Sequence, residues 1–371
     1  MKLVRQIVIA SLMIIAGSFA GVRGQSKAVT PRVIDHANFD NFRRMWGTPD
    51  GAFYLMERGG CQIRTYPGGK SHSVRLRGSR KLVSSARGNY YGVIRYNSFS
   101  PSALSIREIT LYNRNGKKQY TINKPGCTIF VISDKGPYVV GISGPEGMGE
   151  THLKFYDAHG KLVGNPVVRD FSNPGFSADG NYFYAQSSEG LLIRFSNNGE
   201  RQQEYDRCRK YFLSDNGKNV ATFTDSILTI FGESDSPLGL SVTGPDLRDV
   251  RFSNDGSRLA MLSSDRLEVF DLAERKLIGE YHRTDSTYQL LHMAANDDLS
   301  AIVCSATNSD ASPEIRHRAG KILLFDGSAT KLWENDLSYS DWTVRYPEVR
   351  MNRDGSLFSA LTPDGLKVYQ F

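Results

Sequence analysis

Phe252-Ser253-Asn254-Asp255-Gly256-Ser257-Arg258-Leu259-Ala260-Met261-Leu262, followed after three residues by Arg266-Leu267-Glu268-Val269-Phe270, is the stretch on which the fold turns. A polar turn ending in glycine separates a first short strand from a second, and apolar and polar positions alternate along the second strand and the third that follows it. Glycine suits the end of such a turn because the backbone there takes a positive φ, where a Cβ would clash. A further short strand follows, Lys276-Leu277-Ile278-Gly279-Glu280-Tyr281. The unit is therefore four short antiparallel strands in ~40 residues, which matches a propeller blade.

The same unit recurs along the chain. Its turns are Thr48-Pro49-Asp50-Gly51, Ala86-Arg87-Gly88, Ser133-Asp134-Lys135-Gly136, Ser177-Ala178-Asp179-Gly180, Ser214-Asp215-Asn216-Gly217, Ser253-Asn254-Asp255-Gly256, Ala295-Asn296-Asp297-Asp298 and Asn352-Arg353-Asp354-Gly355. In the seventh copy Asp298 is read as standing in the glycine place, since Asp tolerates that conformation better than most residues. An aromatic closes the third strand of each copy: Tyr66, Tyr112, Tyr156, Phe195, Phe231, Phe270, Phe325 and Tyr369. In five copies it lies 14 or 15 residues past the turn. In the second, third and seventh the interval is 24, 20 and 27, which implies loop insertions on a fixed core.

These features predict an all-β chain forming a single β-propeller of eight four-stranded blades. The alternative is seven blades, with the irregular first copy as a cap. The last copy ends at Phe371 without a fourth strand, and Ala28 to His36 precedes the first copy without a partner. Pairing the two would close the ring and remove a free sheet edge.

The N-terminus reads as an export signal. Lys2 and Arg5 precede an uncharged apolar run from Ile7 to Ala20, and Ser18-Phe19-Ala20 places small residues where a signal peptidase reads them. Cleavage after Ala20 is expected first and after Gly24 second. Residues 1–24 are thus assigned to a signal peptide and 25–371 to the propeller, with a periplasmic or extracellular destination. The apolar run is shorter than the ~20 residues that span a bilayer, so an uncleaved anchor is the lesser reading and no stable membrane insertion is expected. Losing Lys2, Arg5 and Arg23 lowers the formal charge from +7 to +4. The remaining basic residues are scattered, which does not suit a nucleic-acid partner.

The units Phe252 to Ala260 and Leu267-Glu268-Val269-Phe270-Asp271-Leu272 resemble the WD40 and YVTN-type bacterial propeller repeats. The Gly-His dipeptide typical of WD40 is absent, and an aromatic-Asp pair stands in place of Trp-Asp. The resemblance implies a fold rather than a function. Eight-bladed periplasmic propellers of similar blade number serve outer-membrane assembly, but this chain has no lipid-attachment cysteine after its apolar run.

No catalytic residues are assigned. There is no Gly-x-Ser-x-Gly elbow and no His-Glu-x-x-His, and the seven histidines show no metal-ligand spacing. No cofactor or metal is expected, and the short Asp-Gly turns cannot wrap Ca²⁺. Cys61, Cys127, Cys208 and Cys304 match no zinc pattern, and Cys127 and Cys208, in non-adjacent blades, are expected to be free thiols.

The glycine turns all fall on one face, and the inserted loops with the inter-blade connections fall on the other. Long loops on a rigid scaffold are where binding residues concentrate. The seventh insertion carries Arg316, His317 and Arg318, and the next connection carries Tyr339, Trp342, Arg345 and Tyr346. Arginine beside aromatics is the usual make-up of a binding anchor. The expected function is a monomeric protein- or glycan-binding scaffold acting through this face. The alternative is a hydrolase or lyase of the lactonase-like type at the channel mouth.

Overall fold

The structure, a computed structural model, describes residues 30–37, 44–47, 52–57, 59–65, 70–76, 80–96, 106–127, 129–143, 149–169, 171–187, 189–206, 208–224, 227–232, 237–243, 246–308, 319–338, 348–362 and 365–371. Eight sheets of short antiparallel strands make eight blades, as the repeats predict, and the seven-blade alternative is set aside.

The chain enters through β1 (Arg32–Ala37), which belongs to the last blade. Blade 1 follows with β2 (Arg44–Gly47), β3 (Ala52–Glu57), β4 (Gly60–Thr65) and β5 (Lys70–Arg75). Blade 2 holds β6 (Arg80–Ser84), β7 (Tyr90–Tyr96), β8 (Ile106–Asn113) and β9 (Lys118–Asn123). Blade 3 holds β10 (Ile129–Ile132), β11 (Val139–Ser143) and β12 (Glu150–Tyr156), and its outer strand is split into β13 (Leu162–Gly164) and β14 (Val167–Arg169). Blade 4 has β15 (Phe171–Phe176), β16 (Tyr182–Ser187), β17 (Leu192–Ser196) and β18 (Arg201–Tyr205). Blade 5 has β19 (Lys210–Leu213), β20 (Val220–Thr224), β21 (Ile227–Phe231) and β22 (Pro237–Thr243). Blade 6, the unit quoted first, has β23 (Leu247–Phe252), β24 (Arg258–Ser263), β25 (Arg266–Asp271) and β26 (Lys276–His282). Blade 7 has β27 (Tyr288–Ala295), β28 (Ala301–Asn308), β29 (Ala319–Asp326) and β30 (Lys331–Ser338). Blade 8 has β31 (Glu348–Met351), β32 (Leu357–Thr362) and β33 (Gly365–Gln370), and β1 pairs with β33 as its fourth strand. The ring closes as expected from the two chain ends.

The core is a series of layers between neighbouring blades. One layer joins Leu262, Leu267 and Val269 of blade 6 to Met293, Ile302 and Phe325 of blade 7. Another joins Val140, Leu153 and Phe155 of blade 3 to Phe183, Ile193 and Phe195 of blade 4. Each fully buried side chain of this kind contributes roughly 1.5–3 kcal/mol by leaving water. The aromatics that end the third strands belong to these layers: Phe195, Phe325 and Tyr369 are buried at 1%, 0% and 4% exposure. Tyr66 lies outside the described residues.

The repeated turn has a physical basis beyond its glycine. The first-strand serine is buried, and its hydroxyl oxygen accepts a hydrogen bond from the backbone N–H five residues on. The donors are Tyr90 to Ser85 (3.1 Å), Tyr182 to Ser177 (3.1 Å), Asn219 to Ser214 (2.9 Å) and Arg258 to Ser253 (2.8 Å). The hydroxyl in turn donates to the residue two on, as Ser253 does to Asp255 (2.6 Å). Gly88, Gly180, Gly217, Gly256 and Gly355 all have φ between 66° and 76°.

Two turns differ from the expected pattern. In blade 7 the left-handed residue is Leu299 (φ 57°), not Asp298. Asn296 takes the serine place there, its Oδ1 accepting from the N–H of Ala301 at 2.9 Å. Asp298 therefore matches Asp255, and each carboxylate accepts the N–H two residues on. In blade 3, Gly136 is not left-handed; its carbonyl accepts instead from the N–H of Tyr138 at 2.8 Å. The first turn, residues 48–51, lies outside the described residues.

Candidate functional site

The innermost strands converge on a central channel. In β23 the apolar Leu247, Val250 and Phe252 turn into the blade layers and are buried, while Arg248 and Arg251 are exposed. Together with β15 and β19, this strand bounds a cavity of about 670 Å³ whose wall includes Asn173, Tyr211, Lys210, Arg248, Asp249 and Arg251. Asn173, Lys210 and Arg248 stand near the beginnings of their strands, so the cavity opens on the face that carries the inserted loops. Its polar wall is braced. The hydroxyl of Tyr211 donates to the Asn173 carbonyl (2.6 Å), and Asn173 Nδ2 donates to Gln186 (3.0 Å).

The opposite end is narrowed by the turns themselves. Here a second space of about 220 Å³ is walled by Arg87, Ser214, Asp215, Asn296 and Asp297. Backbone hydrogen bonds tie successive turns into a collar: Asp179 N–H to Asp215 O (2.8 Å), Asn254 N–H to Asp297 O (2.6 Å), and Asp297 N–H to Arg353 O (3.0 Å). The N–H of Arg87 donates to the Asp134 carboxylate at 2.8 Å. The Arg87 guanidinium then crosses from blade 2 to an ion pair with Asp215 of blade 5. Phe176, Leu213 and Arg251 border both spaces, so Arg251 stands at the waist of the channel.

The inner strands of blades 6 to 8 add Asp249, His292, Glu348 and Arg350. Each channel arginine is matched to an acid two positions away: Arg251 to Asp249 (3.3 Å), Arg350 to Glu348 (3.7 Å) and Arg248 to Asp246 (3.0 Å). Burial holds His292 below the ordinary histidine range, opposed by the nearby Glu348 and Asp249 carboxylates. Burial likewise lowers the Arg350 guanidinium. A catalytic base needs a nucleophile within hydrogen-bond reach. Among the described residues no hydrogen bond joins His292 to a hydroxyl or thiol.

Arg316, His317, Arg318, Tyr339, Trp342, Arg345 and Tyr346 all lie outside the described residues, as does most of each inserted loop. The structure therefore neither joins nor separates them. All four cysteines are buried, and Cys127 and Cys208 are free thiols as expected. Burial pushes the Cys127 thiol up to about 11 and that of Cys208 up to about 12, away from thiolate chemistry. Among the described residues no cluster of His, Cys, Asp and Glu could hold a metal ion, and no helix is long and apolar enough to cross a membrane.

Sequence reading missed Lys210, Arg248 and Arg251. A usable signal was present, because charged residues alternate with apolar ones in Leu247 to Phe252, a strand that the repeat already places innermost. What it lacked was a reason to treat the polar half of that alternation as channel wall.

No protein-family model matches the chain, and no curated protein resembles it significantly in sequence. Solved structures do. The C-terminal WD40 domain of Sif2 superposes with a TM-score of 0.62 at 11% identity, covering 92% of this chain and 98% of that one. The fold is that of the WD40-type β-propellers. BamB from Moraxella catarrhalis is similar at a TM-score of 0.54 and 11% identity, over 92% of this chain and 100% of its own. A eukaryotic initiation factor is similar at 0.54 and 9% identity, covering 83% of this chain and 90% of that one. At such identities the likeness concerns architecture, and it agrees with the repeat resemblance read from the sequence.

Proposed function

We propose that this chain is an exported, non-enzymatic propeller that binds a protein partner through the face carrying the inserted loops. One observation carries the reading: the channel is wider on that face and narrowed by the turn collar on the other. The large cavity and the variable loops therefore share one side of a rigid ring, which is where binding residues gather on such scaffolds. The likeness to WD40-type propellers supports the scaffold reading in general terms. Export rests on the charged start, apolar run and small residues of positions 1–24. In this reading Trp342, Tyr339 and Tyr346 supply apolar anchor area, and Arg316, Arg318 and Arg345, with His317 beside them, supply charge. Aromatic and arginine side chains are the residues most often found to dominate interface energy.

The test is a paired substitution. Trp342→Ala and Arg345→Ala together are expected to lower recovery of the partner at least tenfold in pull-downs from the native envelope or culture fluid, since loss of anchors costs about 2 kcal/mol or more. The folding transition should be unchanged, because both positions fall in the sequence between the last strand of blade 7 and the first of blade 8. Full recovery by the doubly substituted protein would remove this surface from consideration.

A further inference from the structure

The larger channel cavity has a charge pattern that the scaffold reading does not require. We propose that it binds a small organic anion carrying two or more carboxylate or phosphate groups, with Lys210, Arg248 and Arg251 as its counter-charges.

Four observations lead there. First, the wall presents three cations, Lys210, Arg248 and Arg251, against one carboxylate, Asp249. Low-dielectric walls bearing one sign of charge focus the field and concentrate counter-ions. Second, Lys210 makes no ion pair with any described residue, and both Lys210 and Arg248 are exposed to the cavity side. Arg248 is held by Asp246, which does not line the cavity, and Arg251 is held by Asp249 at the waist. These pairs fix the guanidinium groups in place and leave donors directed inward, since each guanidinium carries five.

Third, size selects the class of ligand. A volume of about 670 Å³ lies within the roughly 300–1,000 Å³ usual for small-molecule sites. The Arg87–Asp215 pair crosses the narrower far end of the channel. Fourth, the cavity is not only charged. Phe176 and Phe212 give it an apolar side, and Asn173 offers a neutral amide. A compact ligand with a carbon skeleton between separated anionic groups matches this lining better than a bare inorganic ion does. The proposal stands apart from the loop-face reading: it uses residues on inner strands and needs no protein partner.

Titration calorimetry of the purified chain with citrate and, separately, with fructose 1,6-bisphosphate tests it, with glucose and spermidine as neutral and cationic controls. At least one of the two anions is expected to bind and both controls to fail. Binding of one anion alone would identify carboxylate or phosphate as the group recognised. Lys210→Ala combined with Arg248→Ala, both at exposed positions that the fold does not need, should weaken binding by about tenfold or more, each charged hydrogen bond contributing on the order of tenfold. Asp249→Asn should strengthen it several-fold by removing the one lining acid. The affinity of the parent should also fall as salt is raised from about 50 to 500 mM. The proposal is overturned if neither anion binds, if spermidine binds as well, or if the double substitution leaves the affinity unchanged. It is also overturned if an acidic peptide such as hexaglutamate binds while both small anions do not.

Discussion

Leu299 adopts a left-handed backbone that branched and bulky residues avoid, and its side chain explains why it is kept. A φ of 57° costs a non-glycine residue about 1–2 kcal/mol. The side chain is fully buried in the layer between blades 6 and 7, and removing a buried leucine costs about 2–5 kcal/mol. Burial therefore outweighs strain. Leu299→Gly, although it installs the residue that the other turns use, is expected to lower stability by about 1–3 kcal/mol in urea unfolding. A variant as stable as the parent would show that strain is the larger effect. The same residue marks a limit of sequence reading. The Ser-x-Asp-Gly turns were legible because serine, aspartate and glycine each answer a separate backbone need. In blade 7 an asparagine side chain does the work of the serine, and a leucine is tolerated in place of glycine only because of a tertiary contact. Reading Asp298 in the glycine place therefore puts it one position from its true role, which is that of Asp255.

At the level of elements, blades meet through glycine as well as through apolar layers. Gly279 in the outer strand β26 lies against the third-to-fourth turn of blade 7, where an added Cβ would sit 1.9 Å from the Ser328 carbonyl oxygen. Gly164 in β13 makes the same approach to Asn198 O of blade 4, at 2.1 Å. The obstacle is backbone in both cases, so it cannot rotate away. Gly279→Ala is expected to force the two blades apart and to cost about 1–3 kcal/mol, as overpacking does. Ile278→Ala, at an exposed position of the same strand, should change stability by no more than about 0.5 kcal/mol. Thermal unfolding of the two variants side by side separates a contact effect from an effect on strand propensity. Equal midpoints would mean that the blades yield at this seam. Strand number and order could be read from turns and alternation, because these are local. The glycine seam could not, since it depends on what a neighbouring blade brings within reach.

For the whole molecule, the channel and the ring closure both depend on residues far apart in the chain, yet only the closure was legible. A final blade lacking a strand and an initial segment lacking a partner are complementary deficits visible in one dimension. The cations of β19 and β23 become neighbours only once the ring exists. Closure is also where cooperativity can be tested. Blade 8 takes β31 to β33 from the end of the chain and β1 from its beginning. Arg32 reaches Gln370 at 3.1 Å, and Asp35 pairs with Arg64 of blade 1 at 3.2 Å. A chain shortened to begin at Asn38 would leave the edge of β33 unpaired. It would also remove the bond between blades 8 and 1. An open strand edge invites pairing with another chain, so this shortened form is expected to unfold at a lower temperature, with a broader transition, and to self-associate in light scattering. Adding a synthetic peptide of residues 28–37 should restore both the midpoint and the monomer by supplying the missing strand in trans. If the shortened chain stayed monomeric with an unchanged midpoint, three strands would suffice to hold blade 8. The first-to-last pairing would then register the chain ends without contributing to the stability of the ring.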